Sequence, residues 1–76
     1  MAIRLHWAPD NASLPVRIAL HRFGLAHEGV RLDRGAGETR TPGYLALNPR
    51  GLVPVLEEAG RPVFETGAIL LHLADR

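Results

Sequence analysis

The chain has 76 residues, no cysteine and a formal net charge of +1, which describes one small domain burying only roughly 60% of the surface its unfolded chain exposes. Without cysteine there is no disulfide, no CxxC redox pair and no thiolate zinc site. All nine basic residues are arginines, scattered from Arg4 to Arg76, so no basic stripe for nucleic acid or a membrane surface is present.

Ile3 to Trp7 alternates apolar and polar side chains and predicts a first strand, ending at the loop signal Pro9-Asp10-Asn11. Arg4 and His6 interrupt any signal-peptide core, and no apolar run approaches membrane-spanning length, so a soluble cytoplasmic protein is expected. Ser13 stands where a helix cap belongs, ahead of a helix over 14–23 that tolerates Pro15 in its first turn and stops at Gly24. Glu28 to Asp33 alternates again as a second strand. The stretch 34–41, with Gly35 and Gly37, suits an exposed loop. Pro42 to Leu47 forms a short helix at most, packed by Tyr44. Val53 to Glu57 and Arg61 to Phe64 make an antiparallel hairpin around Gly60. A helix from Thr66 to Asp75 follows, giving the order βαβαββα of an α/β domain with sheet and helix layers.

Two helices carry more apolar surface than one stripe requires. Ala68, Ile69, Leu70, Leu71, Leu73 and Ala74 run around most of the last helix, and Leu70, Leu71 and Leu73 cannot all face one sheet at helical spacing. Val16, Ile18, Ala19, Leu20 and Phe23 spread similarly over the first.

The segment Asn48-Pro49-Arg50-Gly51-Leu52-Val53-Pro54-Val55-Leu56 is the most informative in the chain. Proline cannot donate to a sheet ladder and sits at the start or edge of a strand, where the preceding residue's backbone stays available for a ligand's peptide groups. Val53 is therefore a main-chain anchor candidate. Glu65 and Thr66, beside a helix N-terminus, add groups suited to a zwitterionic amino-acid end. Taken alone that pair reads as a helix cap; its position after a Val-Pro strand and hairpin shifts the reading toward ligand binding, with capping as a simultaneous role. The four histidines, His6, His21, His27 and His72, show no metal-ligand spacing, and no metal site is expected. Trp7 reads as core, and Gly35 and Gly37 form no nucleotide fingerprint.

NPRGLVPVL followed by FETGAILLHLADR resembles the glutathione-binding half of the glutathione S-transferase family. LHWAPDNASLPVRIALHRFGL is similar to that family's first strand, active-site loop and first helix, and TPGYLALNP to its second helix. The resemblance covers essentially the whole chain. It implies a thioredoxin-like α/β fold, a four-stranded mixed sheet flanked by helices, with glutathione as cosubstrate. It further implies that Pro54 is cis, that the Val53 backbone pairs with the cysteinyl part of glutathione, and that Glu65 and Thr66 hold the γ-glutamyl end. Arg40 or Arg34 would reach the glycyl carboxylate.

For thiol activation the chain departs from its relatives. The family's catalytic serine position falls at Asp10 or Asn11 and its cysteine position at Ala12, leaving Ser13 and Asn11 as candidates to stabilise a thiolate. Ser at a helix start is usually an N-cap and Asn after Asp usually a turn residue, and for Ser13 the cap reading stands ahead of the catalytic one. An anionic Asp10 would oppose thiol ionisation. The resemblance thus implies a glutathione transferase acting on an electrophilic small molecule, with a non-catalytic binding or interaction module as the alternative. It also implies a second, all-helical domain after this point and a homodimer when complete. The alternative to such a fragment is a stand-alone module whose apolar face binds a partner.

Overall fold

Four strands, β1 (Ile3–Trp7), β2 (Glu28–Arg31), β3 (Val55–Glu58) and β4 (Arg61–Phe64), form one sheet in the order β2-β1-β3-β4. The coordinates are a computed structural model and describe residues 3–9 and 12–75. β1 pairs parallel with β2 and antiparallel with β3, and β3 pairs antiparallel with β4. The mixed sheet and its helices are those expected of a thioredoxin-like α/β domain.

Alternation along β1 sends its side chains to two separate cores. Ile3 and Leu5 pack with Leu56, with Val16 and Leu20 of α1 (Leu14–Arg22), and with Ile69 and Leu73 of α3 (Thr66–Ala74). Beyond β1, Ala8 packs with Val53, Val55 and Tyr44, the last carried by α2 (Pro42–Leu47). α1 closes with Leu25 N–H donating to Leu20 O and Gly24 N–H to His21 O, the paired bonds of a Schellman end. α2 is capped by Thr41, whose Oγ1 accepts from Tyr44 N at 3.2 Å, and begins at Pro42, which needs no donor there.

Several details differ from the sequence reading. β3 begins at Val55 rather than Val53, because its ladder with β1 starts at the His6–Val55 pair and Pro54 has no N–H to extend it. β2 ends at Arg31, although Leu32 N–H still reaches Trp7 O at 2.8 Å. The expected loop over 34–41 contains a 3₁₀ turn, Glu38–Arg40, too short to leave any periodicity. Its approach is tied by Asp33 N–H to Glu38 Oε1 at 2.7 Å and Ala36 N–H to Asp33 Oδ1 at 3.2 Å.

The surplus apolar surface of the helices is accounted for directly. On α3, Ile69 and Leu73 are buried while Leu71 is 73% exposed; on α1, Leu14 and Ile18 make a second, outward stripe four residues apart, with exposed Phe23 beyond. Replacing Leu71 by Glu in the 76-residue chain is expected to raise its solubility limit while shifting unfolding stability by no more than about 0.5 kcal/mol. Concentration-dependent light scattering and urea unfolding measure the two. A solubility no different from that of the parent chain would show that this face does not drive association.

Candidate functional site

The site is built around a tight turn. Asn48 is buried, and all its polar groups are engaged: Oδ1 accepts from Arg50 N–H at 3.1 Å, the carbonyl accepts from Gly51 N–H at 2.9 Å, and Nδ2 donates to Leu52 O at 3.2 Å. Gly51 turns the chain with φ +67°, and a Cβ there would lie 3.0 Å from Thr39 O and 3.3 Å from Leu45 Cδ2. The 3₁₀ turn carrying Arg40 is therefore pressed against the turn that leads to Val53. Arg40 itself is exposed.

Beyond the turn, the Val53 side chain points into the second core, and the Val53–Pro54 peptide is cis. No hydrogen bond engages the Val53 amide among the described residues. The Leu52 carbonyl is doubly occupied, since Tyr44 Oη donates to it at 2.5 Å beside the Asn48 amide. Burial pushes the Tyr44 phenol up to about 12, so at neutral pH it remains a protonated donor. The Tyr44 ring stands edge-on to His6, with centroids 5.9 Å apart, and His6 Nε2 meets Glu57 Oε1.

Hairpin register joins the two halves of the site. Val55 pairs with Phe64 at the end of the ladder, so Val53-Pro54 leads into that end of the hairpin and Glu65-Thr66 leads out of it. Glu65 holds φ 73°, ψ 125°, a conformation that L residues other than glycine rarely adopt. Such an outlier concentrates where a side chain must be aimed. The carboxylate is 63% exposed and lies 3.4 Å from Arg50 Nη1.

The cap reading of this pair is corrected by the geometry. Glu65 makes no side-chain cap bond, and the Thr66 hydroxyl donates away from its own helix, to Ala12 O at 3.0 Å. That bond ties the start of α3 to the loop before α1. The first turn of α3 contains no acidic residue beyond the N-cap Glu65 itself.

Ser13 is also corrected. It occupies the N-cap position without a side-chain cap bond, is fully buried, and its Oγ accepts from Ala8 N–H at 3.4 Å. Its hydroxyl thus bonds back to the residue that follows β1. Asn11, the other candidate for thiol activation, lies outside the described residues, as does Asp10. Pro54 and Glu65 flank the Val55–Phe64 pair at the end of the hairpin, and Arg40 lies on the 3₁₀ turn whose Thr39 O faces Gly51. Sequence reading missed the Arg50–Glu65 pair, which only the hairpin register creates, and the Tyr44–Leu52 bond, for which the need of a buried phenol for a partner was the available signal.

The family profile described as glutathione S-transferase, N-terminal domain, matches residues 2–75. A glutathione S-transferase from Silene vulgaris is 44% identical over 75 residues, covering 97% of this chain and 35% of the relative. A maleylacetoacetate isomerase from Rhizobium meliloti is 45% identical over 66 residues, covering 87% and 31%. The crystal structure of a glutathione transferase homologue from Sulfitobacter, with bound glutathione, superposes with a TM-score of 0.90 at 37% identity, covering 97% of this chain and 36% of that one. The chain spans about a third of the length of these relatives.

Proposed function

We propose that this chain, which belongs to the glutathione S-transferase N-terminal domain family, binds glutathione and presents its thiol to an electrophilic small molecule. The observation that carries the reading is the Val53 amide, without an intramolecular partner among the described residues, on the segment that enters the hairpin at the end where Glu65 and Thr66 leave it. An extended peptide laid beside Val53 would gain main-chain hydrogen bonds there. Its γ-glutamyl ammonium would meet the Glu65 carboxylate, and its α-carboxylate the free N–H groups that open α3. Arg40 is assigned to the glycyl carboxylate at the other end. The Sulfitobacter homologue, crystallised with glutathione, supports the choice of ligand.

In this reading residues 1–76 are the thioredoxin-like domain of a larger protein. A helical domain would cover Leu14, Ile18, Phe23 and Leu71 and supply most of the electrophile pocket, the complete protein being a homodimer. Cytoplasmic residence follows from the need for reduced glutathione; among the described residues no helix is long and apolar enough to cross a membrane. Thiol activation falls to Asn11 and the N-terminus of α1, since Ser13 is buried. That burial also favours a second reading, a binding module that retains glutathione without transferring it.

Calorimetric titration tests the binding claim. Glutathione is expected to bind, and Val53→Ala to change the dissociation constant by less than about threefold, because the main chain makes the contact. Failure of the parent protein to bind glutathione, or a large loss on this substitution, would overturn the assignment. Conjugation to an aryl halide, measured on the same sample, separates transfer from binding alone.

A further inference from the structure

The Leu52–Val53 peptide group is held at one end and open at the other. In a trans peptide the carbonyl of one residue and the N–H of the next lie in a single plane and point in opposite directions. Fixing Leu52 O therefore aims Val53 N–H. Leu52 O is fixed twice, by the Tyr44 hydroxyl and by Asn48 Nδ2 at 3.2 Å. The Leu52 side chain is 58% exposed and supplies little packing to orient the plane, so the two donors set it.

Both donors are themselves anchored. Tyr44 is 5% exposed, sits in the second core and stands edge-on to His6, which Glu57 holds in turn. Asn48 is 3% exposed, with its Oδ1 fixed by Arg50 N–H. Filling both lone pairs of an amide carbonyl also polarises the group and makes its N–H a stronger donor.

From this geometry we propose that Tyr44 and Asn48 are positioning residues for ligand binding, which orient and polarise the Leu52–Val53 peptide so that Val53 N–H meets the cysteinyl carbonyl of glutathione. The inference rests on the glutathione-binding reading above. It gives the buried phenol a binding role in addition to its packing.

The test is a double-mutant cycle between protein and ligand. Tyr44→Phe keeps the ring and its edge-on contact and removes only the hydroxyl. The paired ligand is a glutathione analogue whose cysteinyl carbonyl is replaced by methylene, which removes the acceptor that Val53 N–H would engage. Tyr44→Phe is expected to weaken glutathione roughly five- to tenfold and to leave the affinity for the analogue unchanged. In the same variant the Val53 amide proton is expected to move upfield in the ¹⁵N-resolved spectrum of the free protein. Equal losses for both ligands would mean a general structural role and overturn the proposal, as would no loss for either. A parent protein that binds glutathione no better than the analogue would also overturn it, whereas one that binds neither removes the glutathione-binding reading itself.

Discussion

Glu65→Gln is expected to weaken glutathione binding at least about tenfold, and Glu65→Gly to weaken it as much or more while making the protein more stable. The first effect follows from charge. A carboxylate bonded to an ammonium contributes about 1.5–3 kcal/mol, which Gln cannot match with a neutral oxygen. The second follows from the backbone, because Glu65 stands at φ 73°, ψ 125°, where a residue other than glycine costs of order 1–3 kcal/mol. Glycine relieves that strain and is acceptable at the N-cap position Glu65 occupies.

Nothing local compensates for the strain. Glu65 makes no side-chain cap bond, and its pairing with Arg50 at 3.4 Å joins two groups that are each more than 60% exposed, a geometry whose net worth is small. The conformation is imposed by its neighbours: Ile69 N–H donates to Glu65 O at 3.0 Å, and the Thr66 hydroxyl holds Ala12 O. Calorimetry gives the dissociation constants and urea unfolding the stabilities. An unchanged dissociation constant in Glu65→Gln would reduce Glu65 to a surface residue. A Glu65→Gly protein less stable than the parent would show that the backbone there is not strained.

The elements most legible in the sequence were those written in local chemistry. Ile3–Trp7, Pro42–Leu47 and Arg61–Phe64 appear where alternation, an N-terminal proline and a glycine turn placed them. The surplus leucine of α3 was legible as a count, since helical spacing cannot seat Leu70, Leu71 and Leu73 on one side; the packing then selected Leu71 as the outward one. Side-chain direction at loop ends was not legible. Ser13 and Thr66 both stand where capping hydroxyls belong, yet Ser13 accepts from Ala8 five residues earlier and Thr66 reaches across the fold to Ala12. A short polar side chain has several backbone partners within reach, and tertiary packing chooses among them. The Arg50–Glu65 pair, fifteen residues apart in sequence, exists only once the hairpin has folded back. The asparagine of the Asn-Pro-Arg-Gly segment is a buried hub, bonded through both side-chain and both main-chain polar groups, and those four bonds shape the path to Val53.

Gly51→Ala is expected to destabilise the protein by roughly 1–3 kcal/mol and to weaken glutathione binding as well. Two independent causes act at this position. The backbone is left-handed, at φ +67°, and the added Cβ would lie 3.0 Å from Thr39 O, a main-chain atom that cannot swing aside as a side chain could. Gly37 offers the control for the first cause alone, since it holds φ +77° with nothing within 4 Å of a Cβ. Gly37→Ala should therefore carry the conformational cost without the steric one. The excess loss in Gly51→Ala reports how firmly the 3₁₀ turn bearing Arg40 is pressed against the turn before Val53. Moving those two segments apart would displace the Leu52–Val53 peptide and Arg40 together, so Gly51→Ala should raise the dissociation constant for glutathione where Gly37→Ala leaves it near the parent value. Urea unfolding and calorimetry on the two variants decide the matter. Equal stabilities and equal affinities would mean that the contact between Gly51 and Thr39 relaxes freely and that the two segments position the ligand independently.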